Sequence, residues 1–283
     1  MSILGLHTFV ISPVWELSRI ERQMDRLKEY GIGLFEIPLL RPEKIDVKGT
    51  RSFASRHGVE LFCSLGLPPS IDVVERPQDA LDFVEPAFQV CDSVGSTALG
   101  GVTYGTIGKT TGRGPTMKEI DGICRFLESA ARRARSLGLR IGIEPSNRYE
   151  THLINRGIDA ARIIERVGAE NLFIHLDTYH MHIEEESFAS GFEAAAPYLG
   201  YVNVSEANRG VPGRGMLDWP AAMKAIADIG YQGPITLESM NYVDVDIAAG
   251  LAVWRPVAEN PEDVIEVGLP VLREEARTAG LTL

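Results

Sequence analysis

Short apolar runs alternate with longer amphipathic ones from end to end of the 283-residue chain. The apolar runs cover 4–10, 34–39, 59–65, 98–102, 140–145, 172–177, 201–205 and 234–238. Between and after them, 3.6-residue periodicity marks helices over 16–30, 41–56, 79–94, 117–137, 158–167, 188–198, 219–229 and 262–279. Gly31, Gly58, Gly95, Gly138, Gly168 and Gly230 each follow a helical run by about a residue, where a left-handed C-terminal cap belongs. Strands apolar on both faces suit a parallel sheet covered by helices. Eight strand–helix units with no remainder predict an α/β fold, a (β/α)₈ TIM barrel forming a single domain over 1–283. A doubly wound sheet is the competing arrangement. The number of units and the absence of a Gly-rich first turn count against it.

Charge narrows the function. With 28 Lys+Arg against 39 Asp+Glu, the net charge is −11. A nucleic-acid groove needs positive charge to replace counterions, so we expect no nucleic-acid partner. An anionic membrane surface is disfavoured on the same ground, and no apolar run is long enough for a transmembrane helix. Cys63, Cys91 and Cys124 have neither disulfide nor zinc spacing. A reducing compartment, the cytoplasm, is expected. Residues 1–15 are apolar but lack the basic start of a signal peptide, and read as the lead-in to the first strand.

The second half of the chain carries the chemistry. Four consecutive apolar runs there have a carboxylate or amide at or near their C-terminal ends: Glu144, Asp177, Asn203 and Glu238. In this barrel, reacting groups come from the C-terminal ends of strands. Neighbouring strands bring these four to one half of the mouth. Three carboxylates that close repel one another unless a cation lies between them. A divalent metal is the simplest account, and oxygen-rich ligation favours Mn²⁺ or Mg²⁺ over zinc. His175 stands two before Asp177 and shares its face. It reads as a core histidine one layer deeper and as a possible extra ligand.

The loops after these strands are polar: 147–152, 178–182 and 206–209. They suit a hydroxyl-rich substrate. Of His180 and His182, one is expected to hydrogen-bond the substrate and the other to face solvent. The glycine-rich 210–215 stretch does not join a strand directly to a helix as a phosphate loop does. It reads as a tight turn, so the substrate is expected to be unphosphorylated. The loop at 104–115 and the excursion at 241–260 are long, and long loops in compact folds are often functional.

At these residues the chain resembles the ketose 3-epimerases, the D-tagatose and D-psicose 3-epimerase group of the xylose-isomerase-like barrels. The matching stretches run Glu144-Pro-Ser-Asn-Arg-Tyr-Glu150-Thr-His, Leu176-Asp177-Thr-Tyr-His180-Met-His, Glu206-Ala-Asn-Arg209, Leu237-Glu238 and Val253-Trp254-Arg255. The resemblance implies a homodimer or homotetramer acting on a small sugar. It implies a metal, Mn²⁺ first with Mg²⁺ or Co²⁺ as alternatives, held by Glu144, Asp177, residue 203 and Glu238. It also implies that Glu150, His180 and Arg209 bind the sugar's first carbons and their oxygens. Position 203 departs from the family, which usually has His there; this chain has Asn. Either Asn203 ligates through its amide oxygen, or His175 supplies the missing nitrogen.

The implied reaction inverts carbon 3 of a free ketose through a cis-enediolate. Glu144 and Glu238 exchange protons on opposite faces of that carbon. Aldose–ketose or hydroxypyruvate isomerisation uses the same intermediate, and elimination from a 3-oxo-glycoside would use the same carboxylates. An endonuclease of this superfamily and a binding protein without metal are the readings from other classes. Specificity is expected at the first four strand ends: His7, Phe9, Glu36, Ser64, Tyr104 and Ile107. An apolar wall there favours a deoxy terminus or a short sugar.

Overall fold

The computed structural model describes residues 2–248 and 250–283. Met1 of the lead-in and Ala249 of the 241–260 excursion lie outside the described residues. Eight strands form one closed parallel barrel in sequence order. They are β1 (Leu4–His7), β2 (Leu34–Pro38), β3 (Glu60–Ser64), β4 (Ala98–Gly100), β5 (Arg140–Ile143), β6 (Leu172–Asp177), β7 (Leu199–Val204) and β8 (Ile235–Leu237). Pairing of β1 with β8 closes the ring, with Gly5 opposite Thr236. All six glycines expected at helix ends have positive φ, from 64° to 88°.

The elements depart from expectation where a side chain captures a backbone donor. The run at 4–10 stops being a strand at His7, because the His7 ring accepts the Phe9 N–H and turns the chain into a 3₁₀ turn over Thr8–Val10. The helix expected at 41–56 begins only at Val47. Asp46 caps it by accepting the Gly49 N–H at 2.9 Å. The loop expected at 178–182 is a helix, Thr178–Glu184, capped by Asp177, which accepts the Tyr179 N–H. The helices expected at 16–30 and 262–279 are each stepped into two, Leu17–Glu21 with Met24–Glu29 and Asp263–Glu266 with Gly268–Thr278.

Alternation along each strand sends every second side chain into the barrel. The lowest interior layer is apolar: Leu34, Phe62, Ala98, Phe173 and Tyr201 pack on one another. The Phe62 and Tyr201 rings stack at 3.6 Å and 8°. Gly100 leaves the space that the Phe62 ring fills, since a Cβ there would collide with it. Fully burying one such ring is worth about 1.5–3 kcal/mol. This floor closes the barrel below the polar layers and fixes the height at which they begin.

Candidate active site

Two residues further along the strands the interior becomes polar. His175, Asn203 and Glu36 lie directly above the aromatic floor, each about 1% exposed. The His175 Nε2 and Asn203 Oδ1 atoms are 3.0 Å apart. His175 Nδ1 accepts the Gly101 N–H at 3.2 Å. Gly101 is held at φ 95°, and a Cβ there would lie 2.5 Å from the Leu65 carbonyl oxygen. Only glycine can present its amide to His175 in this way.

Glu144, Asp177 and Glu238 form the next layer. Glu144 stands one residue past β5, with its N–H donated to the Gly101 carbonyl at 3.1 Å. Asp177 ends β6 and is fully buried. Glu238 stands one residue past β8, with its N–H donated to the Val204 carbonyl at 3.2 Å. Arg209 joins two of them: its Nη1 donates to Asp177 Oδ2 at 2.7 Å and also to Glu238 Oε2. The guanidinium lies 3.9 Å from the Tyr179 ring centre, a cation–π contact. Its backbone sits at φ 59°, a left-handed position that costs a non-glycine residue about 1–2 kcal/mol.

The loop that carries Arg209 is pinned by Glu206. That carboxylate accepts from the Ala207, Gly213 and Leu217 amides at 2.9–3.0 Å and from the Trp219 indole at 2.9 Å. Glu206 is therefore a loop-holding residue. The 210–215 stretch is the tight turn expected before the helix Trp219–Asp228.

His180 lies on the short helix after β6. Its Nδ1 accepts the Asn147 backbone N–H at 3.1 Å and lies 3.0 Å from the Asn147 side-chain amide. Its Nε2 faces Glu144 at 3.7 Å and Asp177 at 3.8 Å. The same Asn147 amide donates to Glu150 at 2.8 Å. His182, by contrast, is exposed. On β1, the His7 Nε2 lies 3.6 Å from Glu36 and 3.8 Å from Glu238.

Crowding sets the charges. Burial, then Glu238, Asp177 and Glu36, push Glu144 well above the usual carboxylate range, against Arg209. Burial pushes Asp177 up to about 7, with Arg209 opposing and Glu238 adding. Burial also works against an ionised Glu238, but Arg209 and the histidines outweigh it and hold it at about 2. Burial and Glu238 raise Glu36 to about 8, while Ser64, Asn203 and Tyr201 draw it back. Burial keeps His7 and His175 at about 4 and His180 well below its usual value. Environments that push neighbouring carboxyls apart are characteristic of acid–base sites.

A cavity of about 460 Å³ opens above this layer. Glu144, Glu150, His180, Arg209 and Glu238 line it together with His7, Phe9, Glu36, Ser64 and Ile107. Of the residues expected to form the specificity wall, Tyr104 is the exception. It is fully buried and its hydroxyl donates to the Ile154 carbonyl at 2.9 Å. β4 ends at Gly100, so the chain has already turned at Gly101 and tucks Tyr104 beneath the loop.

A family model for the xylose isomerase-like TIM barrel matches residues 24–275. The L-ribulose 3-epimerase of Methylomonas sp. (strain DH-1) is 31% identical over 276 residues, 95% of this chain and 96% of that protein. The ketose 3-epimerase of Arthrobacter globiformis is 33% identical over 266 residues, 92% of each. The crystal structure of a D-allulose 3-epimerase from Methylomonas sp. superposes with a TM-score of 0.89 at 31% identity, over 97% of this chain and 98% of that one. The chain belongs to the ketose 3-epimerase family of xylose isomerase-like TIM barrels.

Metal dependence in this family meets a donor set that fits it here. Buried Asp177 and Glu238 and half-buried Glu144 lie about a single guanidinium, with Glu36 and Glu150 adding acidic groups nearby. Ligand-capable atoms of Glu144, Asp177 and His180 lie within 4.8 Å of one another. Excess negative charge and oxygen donors suit a divalent cation. Asn203 and His175, both expected near that ion, lie one layer below and are engaged with each other.

The rest of the cavity wall was not legible. Apart from Arg41 and backbone glycines, it is apolar, from residues such as Pro38, Leu40, Leu65, Leu67, Pro68, Phe83, Val102, Met240 and Leu251. Apolar residues in loops carry no signal that separates a substrate wall from ordinary core. The paired prolines Pro68-Pro69, just past β3, were the one available hint of a rigid loop there.

Proposed function

We propose that this chain inverts carbon 3 of a free ketose through a cis-enediolate, with Glu144 and Glu238 as the proton-moving residues. The supporting observation is the convergence of Glu144, Glu238, Glu150, His180 and Arg209 on one cavity. A divalent ion bound beside Glu144, Asp177 and Glu238 supplies Lewis acidity toward the substrate oxygens. Glu238 takes the carbon 3 proton from one face while Glu144 delivers a proton to the other, and the roles exchange with direction. Arg209 and Glu150 orient the oxygens of the first two carbons. His180 donates to the oxygen on which negative charge develops. Mn²⁺ is the ion we propose, with Mg²⁺ or Co²⁺ as substitutes.

Further parts of the proposal rest on narrower observations. Exposed Tyr149, Met216 and Trp254 support a homodimer or homotetramer. Three free cysteines support a reducing, cytoplasmic setting. Among the described residues no helix is long and apolar enough to cross a membrane. The barrel is taken to work as one domain.

The test is product identity. A panel of ketoses incubated with enzyme and Mn²⁺ is expected to give carbon 3 epimers on chromatography; aldose products would sink the reading. One observation favours a second substrate class. The cavity is apolar on the side away from the carboxylates, and it has room for more than a free hexulose. A 3-oxo-glycoside with an apolar outer group would fill it, and its elimination product would appear in the same assay.

A further inference from the structure

Three histidines reach the carboxylate layer, and all three are fixed in the same way. His7 Nδ1 accepts the Phe9 N–H at 3.1 Å, His175 Nδ1 the Gly101 N–H at 3.2 Å, and His180 Nδ1 the Asn147 N–H at 3.1 Å. All are 1–3% exposed. A neutral imidazole has one N–H and one lone pair. Where a backbone N–H points at Nδ1, the lone pair is at Nδ1 and the hydrogen is on Nε2. A doubly protonated ring would set Nδ1–H against the backbone N–H.

Two of the Nε2–H groups, those of His7 and His180, therefore point toward the carboxylate layer, while His175 has its accepting Nδ1 on the Glu144 side, at 3.9 Å. His180 Nε2 faces Glu144 and Asp177, at 3.7 and 3.8 Å; Arg209 Nη2 also approaches it, but at 3.4 Å it is a longer contact than the Asn147 N–H at 3.1 Å, which holds the ring's one lone pair. His7 aims between Glu36 and Glu238, at 3.6 and 3.8 Å. His175 donates to Asn203 Oδ1 at 3.0 Å. That bond also orients the amide of Asn203: its oxygen faces His175, and its NH₂ faces the Glu36 carboxylate. A metal-binding histidine has the reverse pattern, with the lone pair toward the ion and the other N–H given to a partner. Turning any of these rings over would leave a buried backbone N–H unpaired.

We propose that the divalent ion of this chain is held by carboxylate oxygens alone, those of Glu144, Asp177 and Glu238, with no histidine ligand and without Asn203. The three histidines are then fixed N–H donors around that oxygen site. His180 is left to donate to substrate, and His175 with Asn203 forms the layer beneath. An all-oxygen site suits hard ions, Mg²⁺ and Mn²⁺, and forgoes the gain that an imidazole gives Co²⁺ or Zn²⁺. The inference rests on the proposed metal site and not on which carbon is epimerised.

Its test needs no substrate. Pulsed electron paramagnetic resonance of the Mn²⁺-loaded protein reads nitrogen bound to the ion, with Mn²⁺–imidazole as the reference. The expected spectrum has no imidazole nitrogen coupling. In calorimetric titration, Asp177→Asn is expected to weaken Mn²⁺ binding by about 10–100-fold or more, while His175→Gln and His180→Gln bind as the unaltered protein does. Circular dichroism checks that each variant is folded. Imidazole coupling in the unaltered protein overturns the proposal. So does a loss in His175→Gln or His180→Gln matching that of Asp177→Asn, or no Mn²⁺ binding at all. Failure of the epimerase reading shows separately, as a bound ion without carbon 3 products.

Discussion

The two halves of the barrel mouth are built from the same strand–helix unit, yet they are chemically unlike. The β5–β8 half carries Asp177, Arg209 and Glu238, buried and tied together by hydrogen bonds, and half-buried Glu144, which His180 links to Asp177 at 3.7 and 3.8 Å. The β1–β4 half is a wall of Phe9, Leu65, Leu67, Pro68, Val102 and Ile107. Of its polar side chains, His7, Glu36 and Ser64 sit low, next to the carboxylate layer, and Arg41, after β2, is ion-paired with Asp244. The difference assigns separate work to the two halves. Charged groups that must hold and move protons need rigid, partnered positions at strand ends. A wall that reads the shape of a substrate needs only apolar surface, and loops can supply it.

The sharpest way to break this division is Glu238→Gln. Removing a proton-moving carboxylate from the charged half is expected to lower kcat by about 10²–10⁴-fold with the fold intact by circular dichroism. Undiminished epimerisation would refute the two-carboxylate scheme. Next in size is metal removal. Ion at a hundredfold its Kd is expected to stabilise the protein by about 2.7 kcal/mol, and dialysis against a chelator to lower Tm accordingly. No shift in Tm would place the ion elsewhere or nowhere.

The apolar half is tested by Ile107→Asn. A polar group in that wall is expected to cost a substrate with an apolar outer end about 10-fold or more in kcat/KM, with little change for a short sugar. Equal losses for both would mean the wall does not discriminate.

The smallest effect lies at the seam between the halves. His152, from the loop after β5, places its Nδ1 3.1 Å from the Lys109 carbonyl and its Nε2 3.0 Å from the Glu119 carboxylate, both in the segment after β4. Glu119 also closes a capping box with Thr116. Burial opposes its ionisation, but the Thr116 and His152 hydrogen bonds outweigh it and hold Glu119 at about 2. A depressed carboxylate stabilises the fold above its unfolded value near 4.5 and loses that contribution as pH falls toward about 2. Glu119→Ala is expected to cost about 1 kcal/mol near neutral pH, and the two proteins to converge in stability as pH drops through that window. A constant difference would remove Glu119 ionisation from the account.

The two halves were also unequally legible. The barrel was readable because strand and helix periods alternate cleanly and glycines mark the helix ends. Glu144, Asp177 and Glu238 were readable because a carboxylate closing a buried strand is costly without a purpose. Glu206, in a loop expected to suit a hydroxyl-rich substrate, is just as buried and polar, but its bonds go to its own loop and the helix that follows. Asn203 and His175 were read as candidate ligands, and their bond to each other was not foreseeable, because side-chain chemistry shows in sequence and tautomers do not. The backbone amides that fix those rings come from Gly101, Phe9 and Asn147, which only the fold brings to them. Tyr104 failed because β4 ends earlier than its apolar run.

Carbon 3 proton exchange in heavy water tests the central claim most directly. With Mn²⁺ and a ketose that turns over, the unaltered protein is expected to place deuterium at carbon 3, and Glu238→Gln to place none even at Mn²⁺ concentrations that saturate its weakened site. Deuterium at carbon 1 would instead make the enzyme an aldose–ketose isomerase and contradict the account.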